Sequence, residues 1–343
     1  MHMEKGNSKA QGKITIEDIA NELGCSKTTV SRAISGKGRI GKEMQEKVLS
    51  YSKEHGYKPS KIAKGLAKNK SYNIGVVLPS DQDLNEIPFF QNCLLGICEM
   101  AAGRDYDTLV TTADMDDISH LENIVENNKV DGIILTRTLI DDKQAAYLKT
   151  TNIPFIVIGS VADKEVLQID NNHVEACREL TSLLLSQNIE RIAFVAGNEK
   201  HVVNRRRYQG YVEGYGLQQI EPPKDMFFPG CNNKVLVDKA VEEILQKRTD
   251  CILTMDDKIC SQVLRKLSEE HVQVPRDIMV ASFYDSYFLQ SNNPPITSLR
   301  FDERALGGMA CKLLLDKMKG QEVPLKTLLG YDIVLKASTK RKL

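Results

Sequence analysis

Residues 16–32, IEDIANELGCSKTTVSR, comprise two short amphipathic segments separated by a glycine. The apolar residues of the first segment recur at helical spacing and therefore share one face: Ile16, Ile19, Ala20 and Leu23. Thr15 is a suitable N-cap for the first segment and Ser26 for the second, and Gly24 lies between them where a left-handed residue is favoured. The stretch predicts two helices joined by a tight turn.

The second of these segments has a polar outer face. Val30 falls on the inner face, which leaves Lys27, Thr28 and Arg32 pointing outward. In helix-turn-helix domains the N-terminal residues of the recognition helix reach base edges in the major groove, while others touch phosphates. The same residues also fit an ordinary helical hairpin with a solvated charged face.

The charge of the chain is unevenly distributed. The 343 residues carry no net charge, but residues 1–71 contain fifteen Lys and Arg against seven Asp and Glu, a difference of +8, so the remainder carries −8. Within this basic part, residues 42–54 predict a third helix with Met44, Val48, Leu49 and Tyr51 as its apolar positions. Residues 60–71, SKIAKGLAKNKS, are lysine-rich and too short to be stable alone as a helix. A basic head on an acidic body favours attraction to phosphate at one place.

The composition disfavours several classes of protein. The eight cysteines occur in apolar or helical contexts without a C-x-x-C spacing, which indicates buried thiols in a reducing compartment. No apolar run approaches the length of a membrane span. Residues 36–43, GKGRIGKE, approximate a phosphate-binding loop but lack the preceding strand and the Ser or Thr of that motif. No catalytic constellation is evident. We expect a soluble cytoplasmic protein that is not an enzyme and needs no metal or cofactor.

From residue 72 onward, strand-like and helical patterns alternate. Runs rich in Val and Ile, separated by helical stretches, indicate parallel sheets that are covered on both faces. These runs span residues 73–78, 108–113, 131–136, 154–159, 191–197, 251–255 and 278–283. They fall into two series, which predict two doubly wound lobes with a cleft between them.

Motifs along the whole chain carry a resemblance to a known family. They include TIEDIANELGCSKTTVSRAISGKGRI at 15–40, EKVLSYSKEHGYKPSKIAKGLAKNKSYNIGVVLP at 46–79, VDGIIL at 130–135, RIAFVAG at 191–197 and VPRDIMVASFYD at 274–285. In order and spacing these motifs resemble the LacI/GalR family of bacterial transcription regulators. The resemblance implies an all-α helix-turn-helix head and an α/β body, whose two doubly wound parallel-sheet lobes are of the periplasmic-binding-protein type I.

The resemblance also implies a domain organisation. We expect a disordered tail over 1–12, a DNA-binding domain over 13–58, a hinge helix or linker over 59–71 and an effector-binding and dimerisation domain over 72–343. Each lobe is discontinuous. The expected N-lobe covers 72–163 and 295–325, the expected C-lobe covers 166–293 and 327–340, and the crossovers lie near 160–168, 291–297 and 322–328.

In the head, the resemblance assigns roles to single residues. Lys27 and Thr28 are expected to read base edges, Arg32 to contact a base or a phosphate, and Leu66 to wedge into the minor groove from a hinge helix. The hinge departs from the family pattern at Ser60, Lys64 and Gly65, and the glycine weakens a helix. Further DNA contacts are expected from Thr15, Ser26, Thr29, Ser31, Lys37, Tyr57, Lys61, Ala63 and Lys64.

In the body, a small effector is expected in the cleft, beyond the carboxyl ends of the strands. The resemblance implies contacts from Phe89, Phe90, Arg207, Asp257, Tyr284 and Asp285. A carboxylate, a guanidinium and an aromatic wall suit a sugar, which offers hydroxyl groups and an apolar ring face, and would also suit a nucleobase. His201 and Val203 replace the arginine and threonine of purine-binding relatives, which favours a sugar.

Simpler interpretations of these residues remain open at this point. Asp257 could be a helix cap and Arg207 a surface residue, and the triplet Arg205–Arg207 could bind an anionic ligand such as a sugar phosphate. The favoured hypothesis is an effector-controlled transcriptional repressor that binds a pseudo-palindromic operator as a homodimer. We expect a dimer and not a tetramer, because the C-terminal KASTKRKL lacks apolar heptads. The alternatives are a nucleobase-responsive repressor, a solute-binding protein and a sugar-modifying enzyme.

Overall fold

The computed structural model describes residues 14–36, 38–57, 65, 68–81 and 87–340. The chain divides into two compact units, Met1–Ser71 and Tyr72–Leu343, which we call the head and the body. Within the described ranges, no helix is both long enough and apolar enough to span a membrane.

The head contains helices α1 (Ile16–Glu22), α2 (Lys27–Ser35) and α3 (Lys42–Glu54). Thr15 and Asp18 form a capping box at the start of α1, and Gly24 adopts a φ of 61° in the turn before α2. All three helices contribute to one small core: Ile19, Ala20, Val30, Ala33 and Val48. Leu49 was predicted as an apolar position of α3 but is exposed, because it lies outside the stripe that Val48 occupies.

The body contains strands and helices in alternation. The strands are β1 (Asn73–Pro79), β2 (Asp107–Ala113), β3 (Gly132–Leu135), β4 (Phe155–Ile158), β5 (Gln168–Asn171), β6 (Ile192–Val195), β7 (Phe227–Phe228), β8 (Cys251–Thr254), β9 (Met279–Ser282), β10 (Thr297–Arg300), β11 (Lys326–Leu329) and β12 (Asp332–Val334). The helices are α4 (Pro88–Ala102), α5 (Ser119–Glu126), α6 (Lys143–Lys149), α7 (His173–Ser186), α8 (Val202–Leu217), α9 (Lys234–Leu245), α10 (Asp257–Glu269), α11 (Tyr287–Ser291) and α12 (Glu303–Met318). Each of the seven predicted strands lies within two residues of an observed one.

These strands form two six-stranded sheets of the same design. The first has the order β11-β5-β4-β3-β1-β2 and is parallel throughout. The second has the order β12-β10-β9-β8-β6-β7 and is parallel except for β12 at its edge. In both sheets the chain order reverses beside the first strand, as in doubly wound folds. The predicted fold class is therefore confirmed.

The observed lobes differ from the predicted boundaries. β5 belongs to the first sheet, whereas residues from 166 onward were predicted in the C-lobe. β10 belongs to the second sheet and β11 to the first, which reverses the prediction for both segments. The crossovers consequently follow β5, β10 and β11. Sequence patterns missed these strands because their sequences, QIDN, TSLR and KTLL, contain polar residues and lack the continuous Val- and Ile-rich run of the predicted strands.

Two helices of the first lobe pack with their backbones in close contact. Gly307 of α12 lies against the carbonyl group of Cys93 in α4, and Gly96 of α4 lies against the carbonyl group of Arg304. A Cβ atom at either glycine would overlap these backbone atoms. The glycines thus set how close α4 and α12 lie above the first sheet.

Candidate functional site

The first candidate surface surrounds the N-terminus of α2. Ser26 caps this helix, since its hydroxyl accepts a hydrogen bond from the amide of Thr29 at 3.1 Å. Lys27, Thr28, Ser31 and Arg32 are exposed, and Thr29 is half-buried. The outward face of α2 therefore presents two hydroxyl groups and two cations at positions where a recognition helix contacts bases and phosphates.

Several predicted DNA contacts have local partners or lie elsewhere. The ammonium group of Lys27 forms an exposed ion pair with the carboxylate of Glu17 at 2.8 Å. The hydroxyl of Thr15 is engaged with the carboxylate of Asp18 at 2.7 Å. Tyr57 packs against the core of the head, and burial raises the pKa of its phenol. The remaining predicted contacts fall outside the described residues: Lys37, Lys61, Ala63, Lys64 and Leu66. The DNA-contact roles stay predictions.

The second candidate site is a cavity of about 480 Å³ that both lobes of the body line. Its walls include residues that directly follow strands: Asp81 after β1, Arg137 after β3, Asn198 after β6 and Asp257 after β8. These strands flank the point in each sheet where the strand order reverses. Doubly wound folds bind their ligands at this position, because neighbouring loops diverge there and leave a crevice.

Arg207 is a buried cation in the second-lobe wall of the cavity. It lies on α8 and its Nη1 donates a hydrogen bond to the carbonyl oxygen of Met255 at 2.7 Å, while its Nε is buried without a partner among the residues that the structure describes. The guanidinium lies 5.6 Å from the ring centre of Tyr284, within cation–π range. Arg207 is only 6% exposed, which excludes the surface interpretation. Its free N–H is a donor available to a ligand.

Two adjacent carboxylates at the start of α10 have different surroundings. Asp256 is the N-cap, since its carboxylate accepts a hydrogen bond from the amide of Ile259 at 2.8 Å. Asp257 is therefore not the cap, and its side chain lines the cavity. Burial, and next the charge of Asp256, raise the pKa of Asp257 to about 7. Near neutral pH this side chain is an acceptor that also takes up a proton readily.

Asp285 was predicted to contact the effector; it does not line the cavity in this structure, and the contact stays a prediction. Its buried carboxylate lies 3.0 Å from Nζ of Lys336 and accepts a hydrogen bond from Gln290, so it stabilises the second lobe away from the cavity. The neighbouring Tyr284 lines the cavity instead and donates its hydroxyl proton to Glu303 at 2.6 Å.

Other parts of the cavity wall supply an aromatic surface and a neutral imidazole. Phe89 and Phe90 both line the cavity and pack edge to face, with ring centres 5.2 Å apart. His173 lies beside Asp170, and burial together with Arg207 lowers the pKa of this histidine well below its usual value. Five of the six predicted effector contacts thus converge on one cavity: Phe89, Phe90, Arg207, Asp257 and Tyr284.

Comparison with known families explains why these two units occur together. Residues 15–60 match the family described as bacterial regulatory proteins, lacI family, and residues 181–339 match the periplasmic binding protein-like domain. The chain therefore carries a lacI-family DNA-binding domain followed by a periplasmic-binding-protein-like domain. Its relatives with the same domains are transcriptional regulators, which indicates a DNA-binding transcriptional regulator.

Individual relatives cover nearly the whole chain. The HTH-type transcriptional regulator MalR of Staphylococcus xylosus is 28% identical over 90% of this chain and 93% of its own. The structure of the Lac repressor dimer bound to operator and the anti-inducer ONPF superimposes with a TM-score of 0.81 at 23% identity, covering 96% of this chain and 99% of that one. The transcriptional regulator CelR in complex with cellobiose gives a TM-score of 0.72 at 24% identity, covering 95% and 99%.

Several cavity residues were not predicted as contacts from the sequence. They are Asp81, Arg137, Asp170, His173, His201 and Asn204. Asp81 and Arg137 closely follow predicted strands, so the rule that ligands bind beyond strand ends could have found them. Of the arginine triplet, only Arg207 lines the cavity; Arg205 is exposed and donates a hydrogen bond to the carbonyl oxygen of Glu199.

Proposed function

We propose that this regulator is a repressor whose affinity for its operator is controlled by a sugar or sugar derivative bound between the lobes. The observation that carries the proposal is the cavity itself. It combines a buried guanidinium with an unpartnered N–H, a carboxylate and an aromatic wall, contributed by Arg207, Asp257 and Phe89. The hydroxyl groups of a sugar can hydrogen-bond to the guanidinium and the carboxylate, and the apolar face of a pyranose ring can pack against the aromatic wall.

The proposed operator contacts are those of α2, with Lys27 and Thr28 reading base edges. Fluorescence anisotropy with operator-like duplexes, selected from a random pool, tests this proposal. We expect Lys27→Ala to weaken binding to the selected site by at least tenfold and to flatten its dependence on salt. Lys47→Ala is the matched control, because Lys47 is an exposed cation of α3 paired with Glu43 at 2.8 Å. Equal losses in the two variants would refute base reading by α2.

The proposed assembly is a homodimer on a pseudo-palindromic operator. Two heads that read two half-sites one helical turn apart gain specificity that one head lacks. Analytical ultracentrifugation with and without the selected duplex measures this directly. A single monomer on the duplex would contradict the proposal.

The effector class is tested by thermal-shift screening with sugars, sugar phosphates and nucleobases. We expect neutral sugars to raise the Tm, and Arg207→Lys to abolish that rise because lysine lacks the planar donor fork. Arg276→Gln is the control, since Arg276 is an exposed arginine outside the cavity, paired with Asp277. Stabilisation by a nucleobase alone would favour a nucleobase-responsive repressor, and turnover of a sugar would indicate an enzyme.

A further inference from the structure

We propose that Glu303 of the first lobe and Tyr284 of the second form an interlobe latch, a hydrogen bond that fixes the angle between the two lobes of the body. Glu303 lies outside the set of side chains that line the cavity. The latch concerns how the lobes are held relative to each other, and it operates in the same way whichever ligand the cavity takes.

The two latch residues belong to different lobes. Tyr284 lies just after β9 of the second sheet and packs in the core of the second lobe. Glu303 is the first residue of α12, which packs on β3, β4 and β5 of the first sheet. Between them the chain crosses from β10 of the second sheet to α12 of the first lobe. The bond between Tyr284 and Glu303 therefore spans the boundary between the lobes.

The geometry of the latch is that of a strong hydrogen bond. The hydroxyl of Tyr284 donates to Oε1 of Glu303 at 2.6 Å, a separation typical of a hydroxyl that donates to an ionised carboxylate. Burial, and next the charge of Glu303, raise the pKa of Tyr284, so its phenol keeps the proton that it donates. Tyr284 is only 6% exposed, and exclusion of water strengthens such a bond.

Glu303 is anchored to two helices of the first lobe. It lies at the N-terminus of α12, where the helix dipole favours a negative charge, and the side chain of Asn92 in α4 also hydrogen-bonds to it. The backbones of α4 and α12 are in contact at Gly96 and Gly307. The latch therefore acts on a closely packed pair of helices and not on a single side chain.

Tyr284 is held equally firmly in the second lobe. The guanidinium of Arg207 lies 5.6 Å from its ring centre, and the ring of Phe301 stacks on it at 6.2 Å. Phe301 directly follows β10, where the chain leaves the second sheet for the first lobe. Rotation of the lobes about this crossover would move Tyr284 relative to Glu303. Beyond a separation of roughly 3.5 Å the bond is lost, so the latch favours a narrow range of angles.

The lobes also meet at a second place, which provides the alternative explanation. The amide of Ile140 donates to the carbonyl oxygen of Lys200 at 2.9 Å, and Leu139 and His201 form an antiparallel bridge beside this bond. If this backbone bridge and the crossovers alone fixed the angle, removal of the latch would leave the angle unchanged. The two explanations therefore predict different results for variants of Tyr284 and Glu303.

Double electron–electron resonance on the full chain, with no ligand added, tests the proposal. Nitroxides attached through p-acetylphenylalanine at Glu126 and Gln246 report the distance between the lobes, since both positions are exposed and precede strands at the ends remote from the cavity. We expect Tyr284→Phe and Glu303→Ala each to shift the mean distance by about 2 Å or more. The double variant should shift it no further, because both changes remove one bond. Glu303→Gln should give a smaller shift, since its amide oxygen accepts a weaker, neutral hydrogen bond.

The matched controls remove similar bonds within a single lobe. Tyr211 donates to the carbonyl oxygen of Ile192 at 3.3 Å in the second lobe, and Glu99 accepts from Nε of Arg304 at 3.0 Å in the first. Tyr211→Phe and Glu99→Ala should leave the interlobe distance unchanged. Tyr284→Phe keeps the aromatic ring and so still decides the question if Glu303→Ala fails to fold.

The outcomes separate the latch from the proposed function. An unchanged distance in Tyr284→Phe and Glu303→Ala, or the same shift in the two controls, overturns the latch. Anisotropy with the selected operator duplex is measured on the same variants. A shifted distance with unchanged operator affinity upholds the latch and contradicts control of operator binding through the angle between the lobes. A changed operator affinity with an unchanged distance overturns the latch and leaves the proposed repressor standing.

Discussion

Replacing Asp257 with asparagine should stabilise the ligand-free protein above neutral pH. The pKa of this buried carboxyl is raised from 3.8 to about 7, mainly by burial and next by Asp256. The folded state therefore holds the proton more tightly than the unfolded state, and stability falls as pH rises from about 4 to about 7. A difference of about three pH units corresponds to about 4 kcal/mol above that window, at about 1.36 kcal/mol per unit.

Asparagine recovers only part of this free energy, because it loses the attraction of Arg207 for the carboxylate. We expect a net gain of about 1 to 3 kcal/mol at pH 8, which for a body of this size is a rise in Tm of about 2 to 5 °C, and no gain at pH 4. Calorimetric melting from pH 4 to pH 8 measures the difference.

Asp277→Asn is the control for this experiment. Asp277 is a carboxylate outside the cavity. Its pKa is lowered, first by its hydrogen bond with Arg276. Its contribution to the free energy of unfolding is therefore present above its ordinary pKa and is lost as the pH falls. This variant should show no gain at pH 8. If Asp257→Asn lowers the Tm equally at every pH, the carboxylate is not held in an unfavourable environment and the reasoning is refuted.

Three further predictions concern packing, capping and thiol reactivity. Gly307→Ala should destabilise the body by about 1 to 3 kcal/mol because its Cβ overlaps the backbone of α4, whereas Gly216→Ala, whose Cβ meets open space, should be neutral or stabilising in denaturant titrations. Ser26→Ala should cost the head about 0.5 to 2 kcal/mol by removing the cap of α2, seen as a loss of helix on heating an isolated head. A thiol reagent should label only Cys25 and Cys98 rapidly in the native protein, since the other six thiols are buried; rapid labelling of more would contradict the fold.

The sequence predicted the head well because its signals are local. The cap Thr15, the turn residue Gly24 and the cap Ser26 all have the predicted roles, and the three helices follow. The long Val- and Ile-rich strands of the body were equally visible, since burial on both faces leaves a continuous apolar run. The conformation of these elements is determined by residues that are close together in the sequence.

Features set by distant parts of the chain escaped prediction. Asp285 forms an ion pair with Lys336, which lies some fifty residues later in the chain. The local sequence therefore does not show whether Tyr284 or Asp285 faces the cavity. The assignment of β10 and β11 to sheets depends on pairing between segments that are remote in sequence. Arg137 meets its ion-pair partner Asp81 only because β1 and β3 lie side by side.

The placement of β11 and β12 has a consequence for synthesis. β11 completes the edge of the first sheet and β12 the edge of the second, and both follow the other ten strands in chain order. Neither sheet can therefore be completed on the ribosome until residues 326–334 have been synthesised, whereas the core of the head is encoded before residue 58. A nascent chain has a folded head long before it has an effector cavity, so a ribosome that stalls late in the message would display a DNA-binding module that no ligand can control.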